Sequence, residues 1–164
     1  LEGLLDSVEE LSGDVKLACL TRYLSKTFAP GSAQHLCVWS SYARTARYLA
    51  SSLEQRSVRC WCLTAESAVE EMDETVRLFS DSGGVLVVSG PAEGPALDPV
   101  EACINYDLPQ NADGFEERWG HFDRRGRTAP FTMVILRDTS RALEEVEDSI
   151  DQLLKNMAQE VISP

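Results

Sequence analysis

Four arginines and a histidine fall within the stretch Glu117-Arg118-Trp119-Gly120-His121-Phe122-Asp123-Arg124-Arg125-Gly126-Arg127. The rest of the chain is acidic, with 27 Asp and Glu against 15 Lys and Arg for a formal charge of −12. An arginine fork matches phosphate oxygens and keeps its charge at any working pH, so this local exception is a candidate phosphate site. The competing reading is a solvated turn balanced by its own carboxylates. A second candidate is the loop from Ser89-Gly90 through Glu93-Gly94 to Pro99. It is too rich in Gly and Pro to be helical and able to turn backbone N–H groups toward an anion; it also reads as a plain surface connection. Cys60-Trp61-Cys62 is the only close thiol pair. With two histidines in the chain and no CxxC spacing, a metal site is not expected, and the five cysteines read as reduced core thiols. No nucleophile and base pair stands out. His35 opens an apolar run, and only His121 has a polar setting. No GxxxxGK[ST] occurs, so the chain does not cradle a nucleoside triphosphate unaided in the P-loop manner.

The elements that must position these residues alternate. Leu4, Leu5, Val8 and Leu11, then Leu17, Leu20 and Leu24, recur at helical spacing around Ser12-Gly13. His35 to Trp39 is a short, nearly unbroken apolar run, the pattern of a strand buried on both faces. A helix follows over Tyr42 to Leu53, a strand over Arg59 to Leu63, a helix over Ala68 to Phe79, and strands over Val85 to Val88 and Cys103 to Tyr106. Asp113-Gly114-Phe115-Glu116 has capping-box spacing for a short helix, and Thr132 to Leu136 is another β-rich run. Strands alternating with helices predict an α/β fold with a mainly parallel sheet covered on both faces. From Ser140 on, Leu143, Val146, Ile150, Leu153 and Met157 predict a C-terminal amphipathic helix with an acidic outer face.

The 164 residues suffice for one domain with its own core, and 43% hydrophobic with 26% charged residues is a globular composition. No apolar run approaches the roughly 18 residues of a membrane span, and no leader pattern is visible. The start at Leu1 rather than Met raises the expectation of a longer native chain. The net charge opposes a domain that wraps nucleic acid alone.

In an open parallel sheet, ligands bind beyond the carboxyl ends of the strands. The segments that follow those ends resemble the second RecA-like lobe of superfamily 2 helicases, most of all the Swi/Snf-type DNA translocases and the bacterial RNA-polymerase-recycling ATPases. The resemblance covers roughly Asp14 to Leu136. Glu93-Gly94 stands where the family has a GEGLNL-like loop, and Ile104-Asn105-Tyr106-Asp107-Leu108-Pro109-Gln110-Asn111 matches a strand ending in NYDLPWNP. Glu117 to Gly126 matches QRIGRIDRIGQ, and Leu36-Cys37-Val38-Trp39-Ser40-Ser41-Tyr42 resembles the family's LVF-plus-polar strand end.

The resemblance implies a RecA-like three-layer α/β/α lobe over 14–138, preceded by a helical lead-in at 1–13 and followed by the C-terminal helix at 139–164. It implies ATP with Mg, bound mainly by an amino-terminal P-loop lobe of the same native chain. Catalytic roles fall on Arg124 as a finger arginine and on His121 at the other finger position, nucleotide contacts on Glu93, Gly94, Glu117 and Arg118, and nucleic-acid backbone contacts on Ser40, Ser41, Ser89 and Gly90. An arginine finger can be worth roughly 10³ to 10⁵ in rate. The chain departs from the pattern at four places. His121 replaces the first finger arginine, and a histidine at its ordinary pKa of about 6.5 is mostly neutral at pH 7. Glu117 replaces a glutamine, Pro95-Ala96 replaces Leu-Asn, and Met72 stands where an arginine is usual. Each removes capacity to stabilise polyphosphate.

The leading expectation is therefore a helicase or translocase lobe, inactive alone, acting on nucleic acid and on double-stranded DNA in particular, in a bacterial cytoplasm or a eukaryotic nucleus. The alternative is a degenerate, non-catalytic module that binds a protein partner through its acidic faces or C-terminal helix. A third reading, an unrelated α/β enzyme with a thiol site at Cys60 and Cys62, has the least support.

Overall fold

The computed structural model describes residues 14–27, 33–90, 97, 99–109, 112–122, 131–136, 152 and 155. Helix α1 spans Val15–Thr27, strand β1 His35–Ser40, α2 Ala43–Glu54, β2 Cys60–Leu63, α3 Val69–Ser82, β3 Gly84–Ser89, β4 Ala102–Asn105, α4 Ala112–Gly120 and β5 Thr132–Ile135. The strands form one sheet in the order β2-β3-β1-β4-β5, every pairing parallel. The expected lead-in at 1–13 lies outside the described residues, as does the C-terminal helix apart from Gln152 and Lys155, which are helical.

The two-residue alternation of a strand explains the two cores. Leu36 and Val38 of β1 face one way and join Val85, Val87, Ala102 and Ile104 under the inward stripes of α1 (Leu17, Leu20, Leu24) and α2 (Ala46, Leu49, Leu53). Cys37 and Trp39 face the other way and join Leu86, Val88 and Cys103 beneath Val76 and Phe79 of α3, with Leu97, Val100 and Phe122. Central strands β1 and β3 are buried almost end to end, so their apolar runs are continuous rather than alternating.

Helix α3 ends at Gly83, whose φ of +66° only glycine adopts without strain. Its N–H closes the helix on the Phe79 carbonyl at 2.8 Å, and a Cβ there would meet Ala33 backbone atoms at 2.8 Å. Asp113 does not precede α4 as a capping residue but lies in its first turn, where a carboxylate still meets the positive end of the helix dipole.

Candidate functional site

The strand register sets the site. Ser40 at the end of β1 pairs with Ser89 at the end of β3, and Trp39 pairs with Asn105 at the end of β4. All four side chains are buried. The chain turns from β1 into α2 through Ser41 and Tyr42, and one carboxylate organises that turn. Asp107 Oδ2 accepts from the Ser40 hydroxyl and from the Ser41 backbone N–H at 2.9 Å. Ser40 Oγ in turn accepts the Tyr42 N–H at 3.2 Å. The end of β1 is thus pinned to the loop after β4.

Helix α4 adds an arginine to this junction. Phe115, Arg118 and Phe122 recur three and four residues apart and are all buried, so the inward stripe of the helix and the turn that follows it includes an arginine as well as two phenylalanines. Arg118 Nη1 donates to Asn105 Oδ1 at 2.9 Å and to the Asp107 carbonyl at 2.7 Å. Nη2 donates to Ser41 Oγ at 2.7 Å, and the guanidinium carbon lies 5.6 Å from the centroid of the Trp39 ring. Burial lowers the Arg118 pKa, against the pull of neighbouring groups that include Asp107 and Glu117. At 6% exposure its fork is committed to protein oxygens.

Above this network lies a cleft of about 290 Å³ lined by Trp39, Ser41, Gly90, Pro109, Gly114, Glu117, Arg118 and His121. Gly114, Glu117, Arg118 and His121 reach it together because their spacing puts them on one face of α4 and its C-terminal turn. His121 stacks on Trp39, centroids 5.6 Å apart and planes inclined by 27°. Glu117 is exposed and brings a carboxylate to the cleft. Gly90 has a φ of +100°, and a Cβ there would press on Ala65 at 2.8 Å. Ser89 Oγ is buried with no hydrogen-bond partner.

Of the residues singled out by sequence, Ser41, Gly90, Glu117, Arg118 and His121 line this one cleft, and Ser40 and Ser89 end the strands beneath it. Glu93, Gly94 and Arg124 lie outside the described residues. Trp39, Asn105 and Asp107 were not assigned roles, although all three stand at or just past strand ends, the positions where a parallel sheet presents its ligands. His35 sits at the opposite end of β1, with Nε2 3.0 Å from the Ser80 carbonyl and its ring edge-on to Phe79. The thiols lie elsewhere too. Cys60 and Cys62 pack against the core layer under α2, and burial pushes the Cys60 pKa up to about 12 and that of Cys62 upward. That opposes the thiolate a nucleophilic site needs. All five cysteines are free, and among the described residues no group of His, Cys, Asp and Glu could hold a metal ion. No described helix is long and apolar enough to cross a membrane.

No family model matches the chain. It is 30% identical over 111 residues to the ATP-dependent RNA helicase DBP8 of Saccharomyces cerevisiae, an overlap of 66% of this chain and 26% of that protein. The chain thus spans about a quarter of the length of that curated relative. Among solved structures, the C-terminal part of the Fun30 ATPase domain superposes with a TM-score of 0.72 at 16% identity, covering 82% of this chain and 45% of that one. The C-terminal domain of the DEAD-box protein Dbp5 superposes with a TM-score of 0.67 at 20% identity, covering 86% and 79%. The chain has the RecA-like α/β fold of helicase C-terminal lobes.

Proposed function

We propose that this chain is the C-terminal RecA-like lobe of an ATP-dependent helicase that acts on RNA, working only together with a P-loop lobe. The observation that carries this reading is the convergence at one sheet edge. Residues chosen from three separate sequence stretches, Ser40 and Ser41, Ser89 and Gly90, and Glu117, Arg118 and His121, meet around the cleft at the ends of β1, β3 and β4. In this reading the strand ends face the polymer backbone, and the C-terminal end of α4 faces the nucleotide.

ATP and Mg belong mainly to the other lobe. The described cleft brings one carboxylate, Glu117, and one imidazole, His121, to a place where a triphosphate alone would want cations, so this lobe fits the role of a second jaw. The chemistry expected from it is charge stabilisation on the transferred phosphoryl group by Arg124, the residue that follows the α4 turn by two positions. Relatives named as RNA helicases favour RNA over the double-stranded DNA that the motif resemblance suggested. A second reading draws on Glu117 and on the packing of His121 against Trp39: both substitute for phosphate-binding residues, as expected of a lobe that has become a protein-binding module.

The test is ATP hydrolysis by the complete native polypeptide, alone, with single-stranded RNA and with double-stranded DNA, beside its Arg124→Ala variant. RNA-stimulated turnover that drops about 10³-fold or more in the variant is the expected result. Stimulation by DNA alone would return the assignment to a DNA translocase, and turnover absent under all conditions would favour the non-catalytic module.

A further inference from the structure

Tyr42 is the N-cap residue of α2, a position that favours Ser, Thr, Asp or Asn because their side chains close the first turn. Its side chain makes no such bond. The ring is 60% exposed and has no ring partner among the described residues. The backbone, by contrast, is held on both sides. The Tyr42 N–H donates to Ser40 Oγ at 3.2 Å, and its carbonyl accepts the Ala46 N–H at 3.0 Å. Local folding therefore gives no reason for a tyrosine here, yet presents its ring from a fixed backbone.

The surroundings select what such a ring would meet. Tyr42 directly follows Ser41, at the sheet edge where the strand ends converge, and two cations reach that edge from separate helices. Arg44, in the first turn of α2, is exposed and pairs with no carboxylate among the described residues. Lys16 is brought there by Asp14, which accepts the Leu17 N–H at the head of α1 at 2.9 Å and the Tyr106 hydroxyl just past β4 at 3.2 Å. The Lys16 ammonium lies 5.1 Å from the centroid of the Tyr106 ring. The carboxylates of Asp14 and Asp107 at this edge are already hydrogen-bonded. In a chain of net charge −12, an exposed ring with cations beside it matches single-stranded nucleic acid, whose bases stack on aromatic faces while its phosphates meet the cations.

We propose that the Tyr42 ring is a stacking platform for one base of the bound strand, so that this lobe senses an unpaired base as well as the backbone. The inference rests on the reading of the strand ends as an RNA edge and adds a base contact to it.

The test is fluorescence anisotropy on the complete native polypeptide with two labelled strands of equal length, an oligoadenylate and the same ribose–phosphate strand without bases. The unaltered protein should bind the oligoadenylate more tightly. Tyr42→Ala should lose about tenfold in affinity for the oligoadenylate, within the range one stacked base contributes, and nothing for the abasic strand. Tyr42→Phe, which keeps the ring, should bind both strands as the unaltered protein does. If Tyr42→Ala does not fold, Tyr42→Ser removes the ring while supplying a residue favoured at an N-cap, and the same loss is expected of it. Equal losses on both strands in the folded ring-less variant would assign Tyr42 to the structure of the turn and overturn the stacking. Unchanged affinity for both strands in that variant also overturns it and leaves the exposed ring to a protein partner. Equal affinity of the unaltered protein for the two strands overturns the stacking while the polymer reading stands. Binding of neither strand by the unaltered protein overturns the polymer reading and the stacking with it.

Discussion

His121 stacks on the indole of Trp39, ring centroids 5.6 Å apart and planes inclined by 27°, and Trp39 carries Arg118 over its ring as well, 5.6 Å from the centroid. The last residue but one of β1 is thus the floor on which two residues of the α4 segment rest. Its own burial at 3% exposure, with Phe122 edge-on at 6.0 Å, fixes that floor. Both residues reach the cleft from a surface that belongs to the sheet, so their positions depend on the end of β1 as much as on α4.

The stack makes a definite prediction for His121→Arg. A guanidinium also stacks on indole and restores a permanent cation at the position where the resembling family has an arginine. ATP turnover by the complete polypeptide should rise several-fold, with little change in thermal midpoint. A fall in turnover would mean that the site has been reshaped around the imidazole.

The alternation of strands and helices was legible because the apolar runs of β1 and β3 are continuous and those of α1 to α3 recur at helical spacing. The insertion of β3 between β1 and β2 was not, since neighbouring parallel strands are chosen by long-range packing that leaves no local mark. The cleft was legible in its parts, from polar residues at strand ends and the charged stretch after Asn111. The position of Arg118 was hidden by its company. Charge groups it with Arg124 and Arg125, whereas the stripe Phe115, Arg118, Phe122 marks it as facing inward, a signal that periodicity could have supplied. Asp107 carries no local mark beyond its place in a motif, though its carboxylate ties Ser40 of β1 and Ser41 of the turn after it to the loop after β4.

The thiols predict the response to alkali. An ordinary thiol ionises near 8.5, and burial has moved Cys60 to about 12; burial also raises Cys62 and Tyr106. The fold favours the neutral form of each, so their contribution to stability is fully present below the unfolded pKa and is lost as pH rises through the folded one. Urea midpoints should therefore fall from about pH 8.5 toward pH 12, less steeply in Cys60→Ser. At pH 8, iodoacetamide should label Cys60 much more slowly in the native protein than in urea, because burial disfavours its thiolate. Equal labelling rates would contradict the burial.

Phe79 tests the second core. It is fully buried in the core layer that also holds Val76 and Leu86 and supports His35 edge-on at 5.0 Å. Phe79→Ala should cost about 3 to 5 kcal/mol, read as a shift in the denaturant midpoint. Its ring lies at the His35 end of β1, so RNA affinity of the folded fraction should stay within twofold.

Asp107→Ala separates stability from binding in the other direction. It removes the acceptor shared by Ser40 and Ser41, and the hydroxyl of Ser40, fully buried, is then left with only the long 3.4 Å contact to the Tyr42 carbonyl as its acceptor, a cost of about 1 kcal/mol. Because the turn between β1 and α2 is loosened as well, affinity for single-stranded RNA should fall by more than the loss of stability explains, measured by anisotropy well below the unfolding transition. Asp107→Asn keeps an acceptor oxygen at the same place and should recover most of both. If Asn recovers the stability but none of the RNA affinity, the carboxylate charge itself matters at this edge. If Ala leaves affinity unchanged, the serines it holds are not the polymer contact.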